Sequence, residues 1–271
     1  MTTRTAHPSA SFHRPLPASK APAHWLMAQL GKRVLRPGGM ETTRWLLDRV
    51  GIGPDDDVVE LAPGLGLTAR GILAAGPRSY LGVERDEEAT RVAERATASE
   101  GGRVIVGDAA HVPLDDGAAT VVLGEAMLSM QPDHKKDAIA AEVHRLLRPG
   151  GRYAIHELAV VPDDVDDELL AHIQRDLSQA IHVGVRIGTV PQWRAWLGAH
   201  GLEVEELVTT PMRLLEPERL IRDEGVVGTA RFVTNAVRTP GALRRLRTLR
   251  ATFRRHQSHL RAVALVARRA A

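Results

Sequence analysis

The sequence predicts an α/β protein with a doubly wound, mostly parallel sheet, and three observations carry that prediction. Between residues 57 and 158 short apolar runs alternate with helix-like stretches, the pattern of crossover units whose helices cover both faces of a sheet. One run, Val58-Val59-Glu60-Leu61-Ala62, passes through Pro63-Gly64-Leu65-Gly66 directly into a helical pattern. Glycines at such a turn let the backbone run close beneath a ligand. Finally, Glu60, Glu84 and Asp108 close three successive runs at an equal spacing of twenty-four residues, and in this fold strand ends meet at the crevice where ligands bind.

Taken in order, residues 1–22 hold four prolines, no acid and no periodic apolar pattern, which reads as a flexible lead-in. A single domain is expected over 23–271. Trp25, Leu26 and Leu30 mark a first helix, Arg36-Pro37-Gly38-Gly39 breaks it, and Trp45, Leu46 and Val50 mark a second. Strands are expected at DVVELA (57–62), YLGVE (80–84), RVIVGDA (103–109), TVVLGEA (120–126) and RYAIHEL (152–158). Helices are expected at TARGILAAG (68–76), EEATRVAERA (87–96) and HKKDAIAAEVHRLL (134–147). Residues 162–188 read as a helical insertion whose acidic opening, 163–168, suits a helix N-terminus. A helix at 192–199, a strand at 204–212, an Arg-rich helical pair over 217–256 and a last strand at 260–268 complete the chain.

Composition narrows the function classes. The 271 residues are 44% hydrophobic and 25% charged, ordinary globular usage. No run approaches the ~18 apolar residues of a membrane span, and the N-terminus lacks a signal-like apolar run. Zero cysteines exclude disulfides, a thiolate metal site and a thiol nucleophile; together these features read as a cytoplasmic protein. The net charge of +3 conceals +6 over residues 1–50, −13 over 51–212 and +10 over 213–271. Basic ends folding back on an acidic middle account for this asymmetry. Aromatics at 3% leave few rings for stacking bases, which weighs against a nucleic-acid partner.

At VVELAPGLG (58–66), LGVERD (81–86), GDAAHVPLDDGAATVVLGEAML (107–128) and HRLLRPGGRYAIHEL (144–158) the sequence resembles the class I S-adenosylmethionine-dependent methyltransferases. Within them it resembles the small-molecule group related to ubiquinone and menaquinone methyltransferases. The resemblance covers 42–158, the expected cofactor-binding core. It extends loosely to PQWRAWLGAHGLEVEEL (191–207) and to the closing strand, which implies a seven-stranded Rossmann-like sheet with an antiparallel seventh strand. Carried over, it implies S-adenosylmethionine as cofactor. Glu60, Ala62, Gly64 and Gly66 would lie under its methionine and ribose, Glu84 on the ribose hydroxyls, Asp108 and Ala109 at the adenine, and Glu125 beside the sulfonium. Two residues depart from the family pattern: Ala62 replaces its first motif glycine and Glu84 its usual aspartate. Ala62 is compatible only with a backbone that needs no positive φ.

Other chemistries fit less well. The dinucleotide pattern G-x-G-x-x-G is absent, as are a nucleophile elbow and a phosphate loop. His256 and His259 lack a nearby carboxylate in sequence, so no metal is expected. Methyl transfer relies mainly on positioning, with a general base needed only for a protonated nucleophile. His156 and Glu157 are the first candidates for that base, with His111, Glu125 and His182 behind them. An apolar roof is expected from the helix bearing His24, Trp25 and Met27, the loop with Met127, Leu128 and Met130, the segment 177–187, and the helices after Met212. It implies a small, partly hydrophobic acceptor. The rivals are an RNA methyltransferase using Arg244, Arg245, Arg247, Arg250, Arg254 and Arg255, and a cofactor-binding regulator without activity.

Overall fold

β1 (Asp57–Leu61) and β4 (Ala119–Glu125) form the middle of the sheet seen in the computed structural model, which describes residues 16–270. β2 (Ser79–Glu84) and β3 (Arg103–Val106) extend it on one side. On the other lie β5 (Leu147–Val160), β8 (Leu260–Arg269) and β7 (Leu202–Pro211), giving the order β3-β2-β1-β4-β5-β8-β7. Only β8 runs antiparallel to its neighbours, so the mostly parallel sheet and its reversed last strand are as the sequence implied. An eighth strand, the two-residue β6 (Gly188–Thr189), was not expected. It pairs Ala159 and Val160 of β5, where β4 has already ended and the edge would otherwise be bare.

Alternation along each strand builds the two faces. Val58, Val121 and Ala154 face α2 (Gly39–Val50), α3 (Leu67–Ala74) and α4 (Glu87–Thr97) through Leu46, Ile72 and Ala93. Val59, Val122 and Ile155 face α5 (Asp133–Leu146) and α7 (Val190–Ala199) through Val143 and Leu197. Because both faces are covered, β4, β5 and β8 are buried almost throughout. Local signals set the helix starts. Asp86 accepts from Glu88 N and Ala89 N, Asp166 accepts from Leu169 N, and Thr189 with Gln192 forms a capping box.

A third apolar cluster lies outside this sandwich and forms a roof over the carboxyl ends of the strands. It joins α1 (Ala23–Gln29), α6 (Asp167–Ile181), α8 (Pro217–Arg238) and α9 (Ala242–Arg255) through Leu26, Leu177, Phe232 and Leu249. The lead-in expected over 1–22 lies partly outside the described residues, but 16–22 are ordered. Lys20 N and Ala21 N donate to Pro17 O, and Ala18 and Ala21 are buried in the roof. Of the insertion 162–188, the helix takes up 167–181, one turn later than its acidic opening. α8 is broken at Gly225 (φ 73°, ψ 170°), a conformation open to glycine. No helix among the described residues is long and apolar enough to cross a membrane.

Candidate functional site

The ends of β1, β2, β4 and β5 and the loop after β3 border one cavity of about 660 Å³ beneath the roof. Glu60, at the end of β1, is 3% exposed and accepts a hydrogen bond from the Tyr80 hydroxyl at 2.7 Å. Burial pushes its carboxyl up to about 8. The Tyr80 bond and Arg36 oppose that shift, and the Glu125 charge adds to it. Glu84 accepts from Gly64 N and Asp86 N, each at 3.1 Å. Burial raises its carboxyl against these bonds, and they fix its orientation at the first turn.

The two glycines of that turn do different jobs. Gly64 lines the cavity at φ +57°, and a Cβ there would meet nothing nearer than Ala62 O at 3.9 Å, so it would project into the cavity. Gly66 does not line the cavity. A Cβ on it would come within 3.0 Å of Ala96 Cβ and 3.1 Å of Ala93 Cα. The sequence places Gly66 under a cofactor, but it is needed for the close approach of α3 to α4. Ala62 is a second correction. It stands at φ +56°, so this turn requires a positive φ and holds an L-residue in it, at a cost of about 1–2 kcal/mol.

Asp108 and Ala109 line the cavity from the loop after β3. Asp108 is half exposed, and its ion pair with Lys135 Nζ (2.7 Å) holds its carboxyl below the usual range. Glu125 also borders the cavity, but its carboxylate is fully engaged. It pairs with the Arg36 guanidinium, accepts from Thr43 Oγ1 at 2.6 Å and from Thr68 Oγ1, and lies 2.8 Å from His156 Nδ1. Burial alone would raise this carboxyl, yet Arg36 and His156 hold it far below its ordinary value. It is therefore a neutralised internal charge instead of a free anion beside a sulfonium.

His156 and Glu157 are the largest correction. His156 is wholly buried and does not line the cavity. Its Nε2 accepts from Gly38 N at 3.0 Å, which leaves Nδ1 to donate to Glu125. Glu157 accepts from Met127 N, Leu128 N, Ser129 N and Ser129 Oγ at 2.6–3.0 Å, pinning the loop after β4. Burial raises its carboxyl while these donors lower it. Glu157 does border the cavity, but both its oxygens are occupied by these donors, and neither residue has an atom left for an acceptor. Alternation explains why the sequence misleads: β5 projects one of the pair to each face, and both find internal partners.

Trp25, Met27, Met127 and Met130 line the cavity as expected, whereas Leu128 is sealed in the core behind it. His111 and His182 do not line it. His182 instead ends α6 in the left-handed region, at φ 63°. His24 does line the cavity. Its Nδ1 is buried without a partner, and burial, opposed by Asp86, lowers it to about 4. Sequence reasoning overlooked Arg36, Thr43 and Thr68, because Arg36-Pro37-Gly38-Gly39 reads only as a helix break. His256 does have a carboxylate beside it, Asp176 Oδ2 of α6 at 2.8 Å, but Arg255 donates to that oxygen as well.

The match to known proteins agrees with this geometry. A family described as "Methyltransferase domain" matches residues 58–151. An uncharacterized protein of Haemophilus influenzae is 32% identical over 79% of this chain and 85% of its own length. An arsenite methyltransferase of Halobacterium salinarum is 28% identical over 58% of this chain and 39% of its own length. The solved structure of geranyl diphosphate C-methyltransferase from Streptomyces coelicolor, in complex with Mg2+, geranyl diphosphate and S-adenosyl-L-homocysteine, shares the fold. Its TM-score is 0.59 at 18% identity, covering 85% of this chain and 80% of that one. With a strand-end cradle that a Cβ at Gly64 would fill and carboxylates suited to a cationic dihydroxy ligand, the chain belongs to the class I S-adenosylmethionine-dependent methyltransferases, and S-adenosylmethionine is its cofactor.

Proposed function

We propose that residues 23–271 act as one domain that methylates a small, largely apolar acceptor, as in the small-molecule group the sequence resembles. The observation that carries this reading is the division of the cavity. Glu60, Glu84 and Asp108 stand on its strand-end floor, while Trp25, Met130, Val185, Met212 and Phe253 descend from its roof. An apolar roof above a polar cradle selects ligands of that chemistry. In this reading Glu84 accepts from the ribose hydroxyls, Glu60 faces the cationic methionine end, and Asp108 with Ala109 flanks the adenine. The cofactor supplies an electrophilic methyl group, and the chain's contribution is alignment and exclusion of water. His24 is the one imidazole lining the cavity among the described residues. Kept neutral by burial, its unpartnered Nδ1 accepts a hydrogen bond from the acceptor and orients it.

Two features argue against the alternatives. The family resemblance to an arsenite methyltransferase does not extend to arsenic chemistry, because no cysteine is present to hold it. RNA binding through the C-terminal helices is weakened by internal use of their arginines. Arg250 and Arg254 pair with Glu216, Arg255 with Asp176, and Arg245 donates to Ala180 O and Ala21 O. The test is transfer of labelled methyl from S-adenosylmethionine to a panel of apolar small molecules and to total RNA. Label in RNA alone would overturn the reading, and saturable cofactor binding without transfer to anything would favour the regulator.

A further inference from the structure

The second half of α8 carries an apolar face that no described residue covers. After the break at Gly225, Val226, Ala230, Val233 and Val237 recur at the four-three-four spacing that puts residues on one side of a helix. Val226 is 72% exposed, Val233 48% and Val237 63%, with Val227 beside them at 75%. The opposite side of the same helix holds Phe232 and Ala236, which are buried in the roof. Among the described residues, the fold has therefore consumed one face of this helix and left a second, aliphatic one exposed.

The charge around the stripe identifies what covers it. No acidic residue follows Glu224 anywhere in the sequence. At 100° per residue, Arg238 and Arg231 stand about 20° and 40° beyond Val227, on the flank of the apolar face next to the α1–α2 link. Both are exposed, as are Arg244 and Arg247 on α9, which packs against α8. A second copy of this chain fits poorly. Two-fold pairing would set Val226 against Val237 and Ala230 against Val233, which uses the valines but leaves the acid-free, arginine-bearing flank beside them without a partner. RNA would have use for the arginines and none for a row of valines, and no aromatic ring lies on this face for a base to stack on. Aliphatic side chains bordered by cations match a surface with anionic headgroups over hydrocarbon.

We infer that the Val226–Val237 face of α8, with its bordering arginines, docks this enzyme on an anionic lipid surface. Docking there has a route to the cavity. Glu224, at the break, accepts from Arg33 N and Val34 N at 2.9 and 2.8 Å and pairs with buried Lys32, so α8 grips the α1–α2 link whose Arg33 and Leu35 line the roof. The inference stands whether or not the acceptor proves apolar.

The test is flotation of the full chain with vesicles of phosphatidylcholine alone and of phosphatidylcholine with phosphatidylglycerol. Binding is expected only to the anionic vesicles. It should weaken roughly fivefold for each of Arg231→Gln and Arg238→Gln and be abolished in Val233→Asp/Val237→Asp, with melting temperature and affinity for S-adenosylhomocysteine unchanged. Failure to float with anionic vesicles, equal binding to both compositions, or full binding by the double aspartate variant would overturn it. So would sedimentation showing a dimer that the aspartates dissociate, which would assign the face to a second copy, or RNA binding that they abolish.

Discussion

Replacing Glu60 with glutamine should change stability by an amount that depends on pH, and the size follows from its surroundings. In the folded protein this buried carboxyl keeps its proton up to about pH 8, against an ordinary value of 4.5. Between those limits the native state binds one more proton than the unfolded chain, so stability falls with rising pH at about 1.4 kcal/mol per unit. The contribution is intact below pH 4.5 and lost as pH climbs through 8. Glutamine keeps the shape and the acceptor for Tyr80 but cannot ionise. The difference in unfolding free energy, variant minus wild type, should therefore be near zero at pH 4.5, about 3 kcal/mol at pH 7 and level at roughly 4 to 5 kcal/mol above pH 8. Urea unfolding followed by circular dichroism across this range measures it, and other titrating groups cancel in the difference. A flat difference would refute the reasoning, because it would mean Glu60 is already ionised in the folded protein. Calorimetry gives a second readout. If Glu60 meets the cationic end of the cofactor, binding at pH 7 should release a proton into the buffer in wild type and none in Glu60→Gln.

Other outcomes are expected at the same site. Glu84→Ala should weaken binding of S-adenosylhomocysteine by about 1.5–3 kcal/mol for each charged hydrogen bond lost, read by calorimetry, and unchanged affinity would remove Glu84 from the ribose. Gly64→Leu should prevent binding altogether, since its side chain enters the cavity. Ala62→Gly should raise the unfolding free energy by about 1 kcal/mol, because glycine relieves the positive φ while adding some chain entropy; a lower melting temperature would count against strain there. His156→Ala should lower stability by about 2–4 kcal/mol, because it leaves the Gly38 N–H buried and unpaired, removes one donor from the buried Glu125 carboxylate and opens a cavity in the core. A stable His156→Ala protein that has lost only its rate would restore His156 as a base.

What the sequence made legible and what it hid divide along a physical line. Periodicity and turn residues are local, so β1 through β5 and the helix over 87–96 could be read from neighbouring residues. Equal spacing of Glu60, Glu84 and Asp108 located the floor of the cavity, because parallel strands joined by similar crossovers end at one level. The partner of a polar group is not local. His156 and Glu157 look catalytic at a strand mouth until Gly38 and the Met127–Ser129 backbone, distant in sequence, are seen to saturate them. Arg36 was missed for the converse reason, since its role depends on Glu125 and Thr68, which only folding brings to it. Gly66 shows a third limit. A glycine required by a neighbouring helix has the same spacing as one required by a ligand, and only the position of Ala93 and Ala96 separates the two.

The place of β8 has a consequence for how the chain is made. β5 and β7 never pair with each other; each is zipped to β8, from Arg152↔Arg268 to Val160↔Leu260 on one side and from Leu202↔Arg269 to Pro211↔Arg261 on the other. Every other strand leaves the ribosome before this wedge does. Until then the nascent polypeptide must carry β5, including the wholly buried His156-Glu157 pair, with one flank unzipped, while β7 has no sheet to join. Such late, sequence-distant closure slows folding and leaves a sticky half-product exposed during translation. A ribosome stalled short of Leu260 would thus display a substrate for chaperones and proteases, and the enzyme's abundance in a cell would answer to how soon β8 follows β7 into the sheet.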